Sequence, residues 1–343
     1  FFLCYHLEGA GAFARWFSIL LGRHTKKKIF LDLDCLEEPD KACSVVKIEV
    51  RSVVVLLSSQ TLNRIWCAVV IATAVEHKVD VVLVRSEEVD VDIRCLTDLH
   101  KVWTLSEMGM IGQMGLTVDK ISQAYNSLLD SSITERAFEF DRAASFTTHD
   151  NVAWNVARSV LPRSGQQAPP PALEDNTDGA QPATVAIVVS SRNPEMILVA
   201  RVLGAMLPRT TNESVYVAVA GAAVSSEVVA VVSCICLVLS NEVFYDRAVP
   251  ELLAAPLRRQ EGVGLVTTMT FAGFPFPSDE FFEQVELSTR QSLARSSAEC
   301  VVPTPVSDAD LAEVYRLVFR VLALPFSRLA SSHKVRAEAA EIG

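Results

Sequence analysis

The apolar positions of the chain fall into short, nearly continuous runs separated by stretches with helical spacing. Phe1–His6, Lys28–Leu33, Val53–Leu57 and Val79–Arg85 are runs of the first kind. Their length and β-branched content read as strands buried on both faces. Between them, Glu8–His24 places Phe13, Phe17, Leu20 and Leu21 at helical spacing, and Lys41–Arg51 reads as a short helix. Ser58–His77 reads as a brief polar break followed by a helix that carries the pair Trp66-Cys67. Strands alternating with helices imply a parallel sheet with helices on both faces. Pieces around Lys101–Leu105 and a helix over Val118–Leu129 complete this first domain, assigned to residues 1–133.

Thr134–Leu161 reads as helical and leads into Pro162–Pro182, a Pro-, Gly- and Gln-rich stretch with no apolar period. That composition suits a solvated linker, so residues 134–183 are assigned to a helix plus linker. A second round then begins. Strands are expected from Thr184, over Ser214–Ala220, Cys234–Leu239 and Gly262–Met269. Helices are expected over Pro194–Leu207, Ser226–Val232, Tyr245–Gln260, Asp279–Ala294 and Ser307–Leu324. This second domain covers residues 184–326, and residues 327–343 are left as a tail. Both halves run buried strand, serine, helix, apolar strand. Anchored on Ser59 and Ser240, they place Val70 and Glu251 at the same offset, the mark of an internal duplication. The expected fold is thus α/β, two doubly wound parallel-sheet domains in tandem.

Length, 343 residues, agrees with two domains. A net charge of -10 argues against nucleic acid and anionic membranes as partners, since both need a basic face. The most membrane-like stretch, Val215–Leu239, is interrupted by Gly221, Ser225, Ser226 and Glu227, and is expected to be two strands around a short helix rather than a span. There is no signal-peptide layout, and the chain opens at Phe1 already inside a strand, as a fragment would. Eight scattered cysteines form no CxxC pair or Cys/His cage, and the six histidines show no ligand spacing, so no metal is expected. Cys234 and Cys236 share one strand face and read as core. The cysteine usage suits a reducing cytoplasmic compartment.

Four motifs in order carry a resemblance. They are Phe2–His6 (FLCYH), the helix GAFARWFSILLG, Phe30–Asp40 (FLDLDCLEEPD) and the segment from Ser59 to Trp66-Cys67. Together they resemble a TIR domain, the Toll/interleukin receptor homology module. Cys4 and His6 replace the serine and arginine usual in the first strand; Asp40 replaces a glycine; Leu62, Arg64 and Val70 depart from the third motif. The resemblance covers about the first hundred residues and is distant in the second half, where Arg247-Ala248 replace Trp-Cys. It implies a flavodoxin-like fold and a cytosolic signalling or scaffolding role through assembly with other TIR-like domains or with itself. Some members also cleave NAD, a glycosidic scission whose oxocarbenium-like transition state is stabilised by a glutamate carboxylate. Val70 stands at that glutamate's place, and an isopropyl group has neither charge nor lone pair.

The resemblance therefore implies a first domain that recognises without reacting and needs no cofactor. The loop Asp34, Leu36, Glu37, Glu38, Pro39 and Asp40 is the implied interface, with Trp66, Cys67, Ala68 and Ala72 of the next helix. That helix is apolar all round from Cys67 to Val75, which suggests burial against a partner or against a later helix. Under the alternative reading, NAD is a substrate of the second domain, with Glu251 as the carboxylate and Ser190 and Arg192 near the nucleotide. A dinucleotide fingerprint also exists on paper, since Gly9-Ala10-Gly11-Ala12-Phe13-Ala14 fits G-x-G-x-x-A with Asp32 beyond it. Polar His6 and Glu8 stand where the turn would be apolar, which favours glycines that simply open a helix. No nucleophile elbow or P-loop is present.

Overall fold

The structure is a computed structural model of the whole chain. It describes residues 1–31, 39–86, 99–128, 136–160, 183–207, 214–244, 246–257, 263–270, 308–321, 323–327 and 332–342. The chain divides into two compact units, parting at residues 178 and 179. The expected linker and the expected helix Asp279–Ala294 lie outside the described residues.

The first unit runs β1 (Phe2–Tyr5), α1 (Leu7–His24), β2 (Phe30–Leu31), α2 (Pro39–Ile48), β3 (Ser52–Leu57), α3 (Ile65–Glu76) and β4 (Asp80–Ser86). It continues through α4 (Leu99–Val102), α5 (Leu105–Gln113), α6 (Val118–Leu128), β5 (Phe138–Phe140) and α7 (Phe146–Val160). Its five strands are all parallel, in the order β2-β1-β3-β4-β5. Alternation along the strands splits the core into two layers. Phe2, Cys4, Val53, Val55, Leu57 and Leu83 face a layer that also holds α2, α3 and α6. On the other face α1 and α7 enclose an aromatic cluster in which Phe13 and Phe17 meet Phe140, and Phe140 stacks on His149. His149 is fully buried and fixed at both nitrogens, accepting from Trp16 Nε1 at 3.0 Å and contacting the Asp141 carbonyl at 2.6 Å.

The second unit repeats this plan. It comprises β6 (Val185–Val189), α8 (Pro194–Met206), β7 (Val215–Val219), α9 (Ala223–Val229) and β8 (Cys234–Leu239). After these come α10 (Ala248–Leu257), β9 (Gly264–Met269), α11 (Asp308–Val318), β10 (Ala323–Pro325) and α12 (Ser332–Ile342). The sheet order, β7-β6-β8-β9-β10 with every pair parallel, is that of the first unit counted from its own first strand. Both units are flavodoxin-like doubly wound domains. The apolar stretch Val215–Leu239 is β7, α9 and β8, and among the described residues no helix is long and apolar enough to cross a membrane.

Two hydrogen bonds repeat with the fold. Each unit joins its third strand to the next helix through a 3-10 turn, Thr61–Asn63 in one and Asn241–Phe244 in the other. In the first, Tyr125 of α6 donates its hydroxyl to the Leu62 carbonyl at 2.7 Å. In the second, Tyr315 of α11 donates to the Val243 carbonyl at 2.8 Å. Burial raises both phenols above their ordinary pKa, helped by the Cys67 and Cys4 thiols beside Tyr125 and by Asp246 beside Tyr315. The repeated plan therefore extends to the helix between the fourth and fifth strands and its clamp.

The ends of each unit differ from the sequence expectation. Within the expected helix 134–161, Phe138–Phe140 is instead the fifth strand, paired with Val84–Ser86. Its alternating Phe-Glu-Phe is too short to register as a period-2 pattern. Likewise, Ala323–Pro325 leaves the expected helix as edge strand β10, where a proline is tolerated because the outer side needs no ladder donor. The expected tail contains α12, which buries Val335 and Ala339. Its Glu338 accepts from both the backbone and the hydroxyl of Ser327, just past β10.

Candidate functional site at the strand ends

In a sheet of this order, the direction in which successive strands are added reverses between the first and third strands, and the helices that follow them leave toward opposite faces. The crevice between those strand ends is where open α/β sheets bind ligands. It lies beyond Tyr5 and Leu57 in the first unit and beyond Val189 and Leu239 in the second.

In the first unit this seam is stitched by side chains. Arg64, just ahead of α3, donates Nη1 to the Tyr5 carbonyl at 2.9 Å. Cys67 Sγ reaches the same oxygen at 3.3 Å, so that carbonyl takes both bonds. His6 closes the other side by accepting the Gly9 amide on Nδ1 at 3.3 Å, as N-cap of α1. Gly9 and Gly11 flank a kink at Ala10 (φ -142, ψ 20) that parts the first turn of α1 from the rest, and Arg142 donates Nη1 to the Gly9 carbonyl there at 3.0 Å. The turn after β3 is held as tightly. Thr61 Oγ1 accepts from the Ser58 amide at 2.8 Å and donates to the Leu56 carbonyl at 3.0 Å, and Trp103 Nε1 donates to the Asn63 carbonyl at 2.8 Å.

Strands β3 and β8 end at Leu57 and Leu239, so Ser58, not Ser59, is the structural counterpart of Ser240. Eleven residues on from these serines stand Val69 and Glu251. With either anchor the first unit offers a valine. Val69 and Val70 are both buried in the core, Val70 at 3% exposure.

The residues expected to form an interface fall into separate surroundings. Asp34, Leu36, Glu37 and Glu38 lie outside the described residues, and Pro39 and Asp40 form the first turn of α2 rather than the end of a loop. Cys67, Ala68 and Ala72 are buried in the first unit's core, Ala68 at 0% and Ala72 at 3%. The apolar outer face of α3 is covered by α2 and α6 of its own unit. Trp66 packs on the rim of that core and keeps part of its surface open.

The second unit joins some of the residues that sequence reasoning singled out and separates others. Ser190, fully buried after β6, donates its hydroxyl to Asp246 Oδ2 at 2.5 Å. The Ser191 amide donates to the same oxygen at 3.2 Å, and the Ala248 amide to Asp246 Oδ1 at 3.2 Å. Asn193, N-cap of α8, also reaches across, donating Nδ2 to Glu242 at 3.2 Å. Gly221, after β7, adopts φ +85, and a Cβ there would stand 3.8 Å from that of Ala248. Three loops thus converge on the head of α10. Glu251 stays apart from this cluster, at 41% side-chain exposure and bonded to Arg247 Nε at 2.6 Å. Arg192 is exposed at the same turn and lends its amide to Ser190 Oγ at 3.2 Å.

Asp246 is the residue that sequence reasoning missed. The available signal was an Asp two residues ahead of a helix, a common capping position. Its second role, as acceptor for the opposite strand's turn, has no local signature. Among the described residues no group of three metal-ligating side chains exists. Cys236 is buried beside Cys234, and burial pushes its thiol up to about 12, far from a reactive thiolate. No protein-family model matches this chain, and no curated protein shows significant similarity to it.

Proposed function

We propose that the chain is a cytoplasmic signalling scaffold that works by protein-protein assembly of TIR-like units, with a first unit that does no chemistry. The observation that carries this reading is the burial of Val70. An NAD-cleaving site needs an anion at the crevice, and α3 turns apolar side chains into the core at that place. The half-buried Trp66 at the start of α3 is the described candidate through which a partner is met, large aromatics being the usual anchors of interfaces.

The alternative is an NAD glycohydrolase that uses Glu251. The ion pair with Arg247 counts against it, because the pair holds the carboxylate on the solvent side of α10. Two measurements separate the readings. Purified chain incubated with NAD is expected to leave it intact, and Glu251→Ala to change nothing; NAD loss that the substitution abolishes would establish the enzyme. Light scattering after size exclusion is expected to detect a concentration-dependent assembly that Trp66→Ala weakens under conditions where circular dichroism shows the variant still folded. A strictly monomeric chain that binds no TIR-like module would remove the scaffold reading.

A further inference from the structure

The geometry points to Asp246 as a built-in anion that fills the phosphate seat of the second unit and closes its strand-end crevice to phosphate-bearing ligands. The inference stands on the fold and the hydrogen bonds alone and does not depend on the assembly reading. In a doubly wound sheet, the turn after the first strand and the head of the following helix present backbone N–H groups to a ligand's phosphate. Here those donors are engaged by the chain itself. The Ser191 amide goes to Asp246 Oδ2, and the Arg192 amide to Ser190 Oγ. The Glu195 and Met196 amides go to Asn193 Oδ1 at 3.1 and 3.3 Å, and Pro194 has no amide hydrogen to give.

Asp246 is 5% exposed and stands where an external anion would be received. It is delivered from the loop after β8, across the switch point. A phosphate entering this turn would meet both a like charge and spent donors. The seal is also a fastener. Asp246 and Asn193 bind the turn after β6 to the segment after β8, and Tyr315 fixes that segment from behind. The first unit closes the same seam with opposite polarity, Arg64 covering the Tyr5 carbonyl. The two switch points are therefore shut by different chemistry at the same place in the repeat.

Asp246→Ser separates the roles. A serine still caps α10 but is too short to reach Ser190 and Ser191. Binding of inorganic phosphate and of adenosine diphosphate to the full chain is followed by backbone-amide NMR and by calorimetry. Wild type is expected to show no shift at the Ser191 and Arg192 amides. Asp246→Ser is expected to show saturable shifts there and to bind the diphosphate at least about tenfold more tightly than wild type, the gain that frees one donor to a charged group and lifts one repulsion. Asp246→Asn, which keeps the shape and loses the charge, serves if the serine variant does not fold. Wild type binding as tightly as the variant through the same amides would overturn the proposal, and so would a folded variant that gains nothing.

Discussion

Placing a glutamate back on α3, as Val70→Glu, tests the central geometry most severely. If Val70 faced the crevice, the change would restore a carboxylate at little cost. The structure instead puts Val70 in the core shared by α2, α3 and α6. A carboxyl with an ordinary pKa near 4.3 that must stay neutral there at pH 7 costs about 3.7 kcal/mol, at 1.36 kcal/mol per pH unit. Overpacking adds roughly 1–3 kcal/mol, and an unsatisfied polar group roughly 1–3 kcal/mol more. The sum, about 6–10 kcal/mol, is comparable to the whole stability of a domain, about 5–15 kcal/mol. The first unit should be unfolded or nearly so at pH 7. The sign with pH follows from linkage. The folded-state carboxyl is raised, so above about pH 4.3 the folded state holds more protons than the unfolded one and stability falls as pH rises. At pH 5 the charge contribution shrinks to about 1 kcal/mol. Val70→Gln carries the pH-independent part alone. All four tryptophans, Trp16, Trp66, Trp103 and Trp154, lie in the first unit, so urea unfolding followed by tryptophan fluorescence reads that unit alone. Wild-type stability for Val70→Glu at pH 7, or equal penalties for the Glu and Gln variants at both pH values, would refute the buried placement.

Further outcomes follow from single contacts. Tyr125→Phe and Tyr315→Phe each strand a turn carbonyl, and each should cost its own unit about 1–2 kcal/mol, measured by urea midpoints. Ser240→Ala removes a buried hydroxyl with no hydrogen-bond partner among the described residues and should hold or raise stability by about 1 kcal/mol; a clear loss would mean that the hydroxyl is satisfied. Gly109→Ala, with nothing among the described residues within 4 Å of the new methyl, should stabilise α5 by about 0.5–1 kcal/mol in thermal melts. Gly204→Ala should show no such gain, because its Cβ would stand 3.0 Å from Val217 Cγ2 and overpacking of roughly 1 kcal/mol or more offsets the helix preference. Thr104→Ala should cost about 1 kcal/mol by removing the N-cap of α5. The amide and hydroxyl of Thr104 hold the Glu107 carboxyl below its ordinary value, so that cap's contribution is full above the ordinary value and fades as pH falls through the lowered one.

Local pattern by itself determined the class of this protein. Runs such as Val53–Leu57 and Cys234–Leu239 are apolar at every position because a parallel sheet covered on both faces leaves no strand side in water. The same runs, with the helices between them, spell out two rounds of one plan along the chain. What they left open were the parts whose identity depends on a distant neighbour. The three-residue strands β5 and β10 exist because an adjacent strand offers them a ladder. The apolar surround of α3 was compatible with a partner or with its own domain, and α2 and α6 decided it. Ser190 and Asp246 are fifty-six positions apart. Nothing in the composition near either predicts that a carboxylate will cross the switch point to meet a hydroxyl, because that meeting is made by the order in which strands lie side by side.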